Sequence, residues 1–287
     1  MSASIGPLFA SVAAPRAANA LLEFAVLGSS SSGNASVLRV SADGAERQIL
    51  IDAGLSPRMT KGRMAALGFD LAQTSEILFT HFDHDHAREG WARFARQSGI
   101  AMRCARRHVR HAIARGYPES SLASFESDGG TIDLGPLRAT VCENPHDDGA
   151  TAAFRFESAA GTLGFATDVG RVSRGLIDLL RGVDLLAIES NYDPEMQRDS
   201  ARPAVLKNRI TGGRGHLSNG ECLDAVRDIA FPNEPSHVVL LHLSRDCNCP
   251  DLVRDLWRRE APSLAPKLVL AQPFDAIAPI RLGSATP

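Results

Sequence analysis

Thr80-His81-Phe82-Asp83-His84-Asp85-His86 follows directly on the apolar run Ile77-Leu78-Phe79. It packs three His and two Asp into six consecutive positions, 81 to 86. A core has little use for such residues, since carboxylates are seldom fully buried unless they are paired or bind a metal. A loop at a strand end can aim several of these side chains into one volume. Imidazole nitrogen and carboxylate oxygen suit Zn, Mn or Fe, and the absence of a Cys cluster argues against a structural thiolate site. A solvated polar loop is the alternative, but further donors recur where later strand-like runs end. These are His146 in Asn144-Pro145-His146-Asp147, Asp168 in Thr167-Asp168-Val169-Gly170, and His242 in Leu241-His242-Leu243-Ser244. Each alone reads as a structural residue. Together they supply ligands for two metals, including a carboxylate able to bridge them.

Outward from that stretch, apolar runs bounded by Gly and Asp predict strands at 24–27, 36–40, 48–52 and 76–80. A second series is expected at 138–143, 153–157, 163–167, 185–189 and 237–242. Helical spacing marks 59–67, 91–97, 173–181, 219–229 and 250–260. Two β-rich halves, each with its own helices, predict an α/β (layered α+β) fold. Its two sheets pack face to face with helices outside, unlike a doubly wound parallel sheet. No stretch is long or simple enough in composition to divide the chain, so 23–287 is expected to be one domain. The Ala-, Ser- and Pro-rich start, 1–22, reads as an N-terminal extension. It has no basic residue ahead of its apolar stretch, and Pro15 and Arg16 interrupt that stretch, which disfavours a signal peptide.

The whole chain has 287 residues, 44% hydrophobic and 22% charged, which is ordinary for a globular protein. Its 31 Lys+Arg against 33 Asp+Glu exclude a uniformly basic nucleic-acid coat but not a local patch. Five Cys at irregular spacing argue against a secreted disulfide scaffold, and Cys247-Asn248-Cys249 lacks the partner pair of a zinc knuckle. A reducing cytoplasm is the simpler expectation. No apolar run approaches the roughly 20 residues that cross a bilayer, so no membrane role is expected.

The order Asp52, His81 to His86, His146, Asp168, His242 resembles the metallo-β-lactamase fold, an αββα sandwich with two mixed sheets. Within it the chain is similar to the YycJ/WalJ-like hydrolases. The matching stretches include 27–34, Leu50-Ile51-Asp52-Ala53-Gly54, 165–170, Glu189-Ser190-Asn191, 214–219 and 241–244. The resemblance implies that a first metal takes His81, Asp83 and His146, and a second Asp85, His86 and His242. Asp168 would bridge them, and Asp52 would stand behind the site and orient ligands. The superfamily pattern is His-x-His-x-Asp-His, and here Asp83 replaces the second His. That substitution tilts the site from zinc toward manganese or iron. His84, one place out of register, is the alternative ligand or an outer-sphere contact. Tyr192 stands where the subgroup often carries His.

Two such divalent ions, about 3.5–4 Å apart, bring the pKa of a shared water near neutrality and make it the nucleophile. Asp85, Asp168 and His216 are the expected catalytic residues. His216 either contacts a phosphate and protonates the leaving group, or merely packs beside a helix start formed by Ser218 or Asn219. Ser29 to Ser32 reads as a tight turn lending hydroxyls to the cleft edge.

The subgroup implies a phosphodiesterase, an exonuclease with DNA favoured as substrate. Arg103, Arg106, Arg107, Arg110 and Arg115 fall in one short stretch: if 105–115 is helical, Arg103, Arg107 and Arg110 share a face that could track phosphates, the alternative being an ordinary solvated surface. Arg107, Arg110, Ser218 and Asn219 are the expected substrate contacts. A second basic stretch runs through Arg198, Arg202, Lys207, Arg209 and Arg214. Aromatics make up only 6% of the chain and interleave neither stretch, so a single-strand stacking platform is not indicated. Two other readings compete. One is hydrolysis of a small cyclic phosphodiester, lactone or thioester; the other is a metal-binding sensor or scaffold without catalysis.

Overall fold

Leu21–Gly28 (β1) is buried almost from end to end because apolar layers lie on both its faces. Phe24 and Val26 point to one layer, Ala25 and Leu27 to the other. That two-sided burial recurs through the molecule, a computed structural model that describes residues 16–147 and 149–284. After β1 come Ala35–Ala42 (β2), Ala45–Ile51 (β3), Thr74–Leu78 (β4), Ala101–Ala105 (β5) and Leu122–Phe125 (β6). A second series follows: Thr131–Asp133 (β7), Leu137–His146 (β8), Gly149–Ser158 (β9), Gly161–Ala166 (β10), Leu185–Glu189 (β11), His237–Leu241 (β12) and Leu268–Leu270 (β13). Ile280–Gly283 (β14) then returns to pair with β1.

The strands form two seven-stranded sheets, ordered β14-β1-β2-β3-β4-β5-β6 and β13-β12-β11-β10-β9-β8-β7. Each is mixed: β14 through β3 and β7 through β10 run antiparallel, while β3 through β6 and β10 through β13 run parallel. Phe24, Leu38, Ile51, Phe154, Phe165 and Leu241 fill the space between the sheets.

Helices Pro57–Ala66 (α1), Gly90–Ser98 (α2) and Val109–Ala114 (α3) cover the outer face of the first sheet through Met64, Trp91, Ala95 and Ala112. Arg174–Leu180 (α4), Asn219–Ile229 (α7) and Pro250–Glu260 (α8) cover the second through Leu176, Leu180, Val226 and Trp257. Pro194–Asp199 (α5) and Ala204–Thr211 (α6) form an excursion between β11 and α7. The layers are therefore α, β, β, α, as the sequence predicts.

Of the expected extension at 1–22, residues 1–15 lie outside the described residues. Leu21 and Leu22 already belong to β1, and Ala20 is buried, so the domain begins before residue 23. A second expectation needs correcting. Residues 105–115 are not one helix: Arg103 lies in β5 and pairs with Glu76, and Arg106–His108 form a 3-10 turn before α3. Arg103, Arg107 and Arg110 therefore do not share a helical face.

Candidate metal centre

The parallel strands end on one rim, and there the chain turns sharply. Asp52 follows β3, Asp168 lies just beyond β10 and His242 follows β12, with φ of 61°, 53° and 58°. Left-handed backbone costs a non-glycine residue about 1 kcal/mol or more, which surrounding structure must over-determine. Here it swings one carboxylate or imidazole from each strand end into a common cleft.

The 81–86 loop is held in place by backbone bonds to the first sheet. The Asn34 N–H donates to the Asp85 carbonyl at 2.7 Å, and the Ala53 N–H to the His86 carbonyl at 2.7 Å. Gly54 makes that approach possible, since a Cβ there would lie 1.7 Å from the Asp85 carbonyl oxygen. The Ala152 N–H donates to the Thr80 carbonyl at 3.0 Å, joining the loop to the second sheet.

Hydrogen bonds at the backs of the rings set the histidine tautomers. Asp52, almost fully buried, accepts from the Thr80 N–H at 2.8 Å, from the Thr80 hydroxyl at 2.9 Å and from His86 Nδ1–H at 2.8 Å. With its proton given to Asp52, the Thr80 oxygen accepts from His81 Nδ1–H at 2.8 Å. His146 Nδ1–H donates to the Gly215 carbonyl at 2.9 Å, and His242 Nδ1–H to Glu189 Oε1 at 3.1 Å. All four rings thus carry the proton on Nδ1 and turn Nε2 toward the cleft, the arrangement that second-sphere partners impose on metal ligands. Nε2 of His81 and of His242 is buried without a hydrogen-bond partner. Such orphaned lone pairs are costly unless something binds them.

Three donors, His81, Asp83 and His146, lie within 4.8 Å of one another, and so do Asp85, His86 and His242. Asp168 stands between the triads, with Oδ2 2.9 Å from His86 Nε2 and Oδ1 3.7 Å from His146 Nε2 and 3.4 Å from His242 Nδ1. Among the described residues, two further groups meet the same limit: His81, His86 and Asp168, and Asp168 with Glu189, His216 and His242. This nitrogen and oxygen donor set, with its unpartnered Nε2 atoms, fits divalent cations.

Electrostatics agree. Burial and the charge of His86 hold the His81 imidazole well below its ordinary pKa, so it is neutral and ready to ligate. Burial alone would depress His86 too, but Asp168, Asp52 and Asp85 outweigh it and hold the ring protonated in the ion-free site. Burial likewise works against the charge on Asp168, and His242 and His86 overcome it, keeping the carboxylate well below its usual range.

Glu189 was not singled out as a site residue, although it ends the apolar run of β11 just as the other donors end theirs. It is fully buried, with Oε1 2.7 Å from His216 Nδ1 and Oε2 accepting from the Val169 N–H at 2.8 Å. His216 is therefore held in the cluster by Glu189. Burial would lower its pKa, but Glu189 outweighs it and raises it. Asn34 Nδ2, also missed, lies 2.9 Å from His86 Nε2 and 3.2 Å from Asp85 Oδ2.

Other expected residues take different places. His84 is exposed and joins none of the donor groups, so neither ligation nor an outer-sphere contact falls to it; Asp83 occupies the position. The Ser218 side chain caps α7 in a reciprocal box with Glu221. Asn219 is buried and bonded to Ser190 and Asn248. Both are committed inside the protein and are not free for substrate. Arg107 pairs with Glu143, and Arg110 is exposed. The α3 region instead presents His108 and His111 to a cavity of about 380 Å³ that reaches His81, Asp83 and His146. A second cavity of about 350 Å³ opens over His216 and His242, lined by Ser31, Arg202 and Ser244. Tyr192 is buried with Ile210 and Cys247 beneath α6.

Sheet order and donor geometry define a metallo-hydrolase fold, and comparison agrees: the model of the beta-lactamase superfamily domain matches residues 47–243, so the chain belongs to that superfamily. Within it the chain is similar to exodeoxyribonuclease YycJ of Bacillus anthracis, 30% identical over 236 residues that cover 81% of this chain and 86% of the relative. It is also similar to exodeoxyribonuclease WalJ of Streptococcus pneumoniae, 28% identical over 234 residues, 80% of this chain and 84% of the relative. The metallo-beta-lactamase fold protein YhfI from Bacillus subtilis superposes with a TM-score of 0.66 at 16% identity, covering 90% of this chain and 98% of that one. That last likeness speaks for the fold.

Proposed function

We propose that this protein is a metal-dependent phosphodiesterase that degrades DNA as an exonuclease. The observation that carries it is the pair of donor triads on either side of Asp168, in a chain whose curated relatives are exodeoxyribonucleases. His81, Asp83 and His146 would hold one divalent ion, and Asp85, His86 and His242 the other, with Asp168 shared. Asp83 in place of a second His adds a carboxylate to the set and favours manganese or iron over zinc. Bound there, such ions bring the pKa of a water near neutrality and neutralise charge on a phosphate oxygen.

The chain's own residues do the rest. Asp52 and Thr80 fix the ring orientations of His81 and His86. Arg202 lines the cavity over His242 and supplies a guanidinium for the phosphate backbone. His216, with Nδ1 bonded to Glu189, keeps Nε2 for the substrate. Glu189 raises its pKa above the ordinary imidazole value, which favours the protonated form able to deliver a proton to the departing oxygen. Five free cysteines fit a reducing cytoplasm as the place of work. No helix among the described residues is long and apolar enough to cross a membrane.

The test is cleavage of 5′- and 3′-labelled DNA with Mn²⁺, alongside metal analysis. Asp168→Ala is expected to lower turnover at least a thousandfold and reduce bound metal, with an unchanged circular dichroism spectrum. If the metal-loaded wild type leaves single- and double-stranded DNA intact, the reading fails.

A further inference from the structure

A third cavity, of about 370 Å³, lies beside the one over His216 and His242, and Ser244 lines both. The Ser244 hydroxyl oxygen is fixed by the Cys247 N–H at 3.1 Å and Arg202 Nη2 at 3.2 Å. Arg202 thus marks the side of this wall nearer the donor cluster. On the far side the lining is mostly apolar: Leu243, Pro250, Ala271, Pro273 and Phe274.

Phe274 is unusual in how it is mounted. Its side chain is 64% exposed, while its carbonyl and the chain three residues to either side are held by hydrogen bonds. The Phe274 carbonyl accepts from Arg63 Nη2 at 2.6 Å. The Ala271 N–H donates to Leu240 at 2.9 Å, and the Ile277 N–H to Val26 at 2.9 Å. Arg63 itself is anchored to the Leu27 carbonyl, at the end of β1. The Arg245 guanidinium carbon sits 5.2 Å from the Phe274 ring centroid. An aromatic ring on a fixed mount, with a guanidinium over it at the mouth of an apolar cavity, is the chemistry that stacks a planar heterocycle.

We propose that this cavity is a nucleobase subsite. It receives the base of a nucleotide beside the scissile bond while that nucleotide's phosphate lies on the Arg202 side of Ser244. The assignment rests on the DNA phosphodiesterase reading above. It needs one ring, so it is consistent with a chain too poor in aromatics for an extended stacking platform. Stacking is indifferent to base identity, so the subsite strengthens binding without imposing a sequence.

The experiment is a two-by-two cycle: wild type and Phe274→Ala, each with ordinary single-stranded oligonucleotides and with ones carrying a single abasic residue on either side of the scissile bond. Phe274→Ala is expected to lower kcat/KM on the ordinary strand about tenfold, the scale of one lost base stack. On the strand whose abasic residue falls at the subsite, wild type and variant are expected to coincide. Phe274→Trp should restore the ordinary value. Equal losses on ordinary and abasic strands, or no loss on the ordinary strand, overturn the subsite. Failure of the underlying reading looks different, because wild type then cleaves neither strand and both proposals fall together.

Discussion

Gly54 has no side chain, yet the candidate metal centre depends on it. Any side chain there strikes the Asp85 carbonyl, which lies one residue from His86 and belongs to a proposed ligand residue. Gly54→Ala is expected to push the 81–86 loop outward and to reduce metal content by more than half, measured by elemental analysis of folded protein. Retention of full metal content would show that the loop accommodates the methyl group. The same scale explains what could be read from the sequence alone. His81, Asp83, Asp85, His86, His146, Asp168 and His242 were legible because each ends an apolar run or crowds with its neighbours. Glu189 ends its run in the same way, but a single acidic residue after a strand gave no further sign. Asn34 was not legible, since its role is set by a contact across 52 positions of sequence.

The start of α7 links an element to the chemistry. Ser218 and Glu221 form a reciprocal capping box, and His216 lies two residues upstream in the same strap. Ser218→Ala removes the cap and is expected to destabilise the protein by about 1 kcal/mol, read from the urea midpoint. Turnover should fall less than tenfold, because Glu189 still holds His216 through its own hydrogen bond. A larger loss would place the Ser218 hydroxyl in contact with substrate. Most elements were visible as periodic or apolar runs. The strands missed were β6, β7, β13 and β14, of three or four residues each, too short to establish a period, and α5 and α6 were missed because their segment read only as a basic stretch. β5 was hidden for another reason: Ala101–Ala105 carries Arg103 on a strand, so its charge read as part of a basic helix. The guanidinium instead meets the buried Glu76.

Across the whole molecule, Glu23 fastens the first sheet where β1 lies between β2 and β14. It lies directly opposite Arg39 of β2 and Arg281 of β14, with Oε2 2.7 Å and Oε1 2.9 Å from their Nε atoms. Burial pushes its carboxyl up, but the hydrogen bonds from Arg281 and Arg39 outweigh burial and hold it below the ordinary range. A carboxylate depressed in the folded state stabilises above its unfolded pKa, about 4.3, and loses that contribution as pH falls through the lower folded value. Glu23→Gln is therefore expected to cost about 1 kcal/mol at pH 7, a figure reduced by the exposure of Arg281. The difference from wild type should close below about pH 4 in paired denaturation curves. A gap independent of pH would assign the loss to packing.

The proposed ion sites straddle the two sheets. Each triad takes two donors from the 81–86 loop and one from the second half, His146 or His242. Asp168, the proposed shared ligand, also comes from the second half, so a half-folded chain would offer either ion at most two of its four proposed protein ligands. Full coordination would therefore require both halves to have docked. An ion bound at either triad would link the two sheets, and its binding free energy would add to the cohesion of the fold.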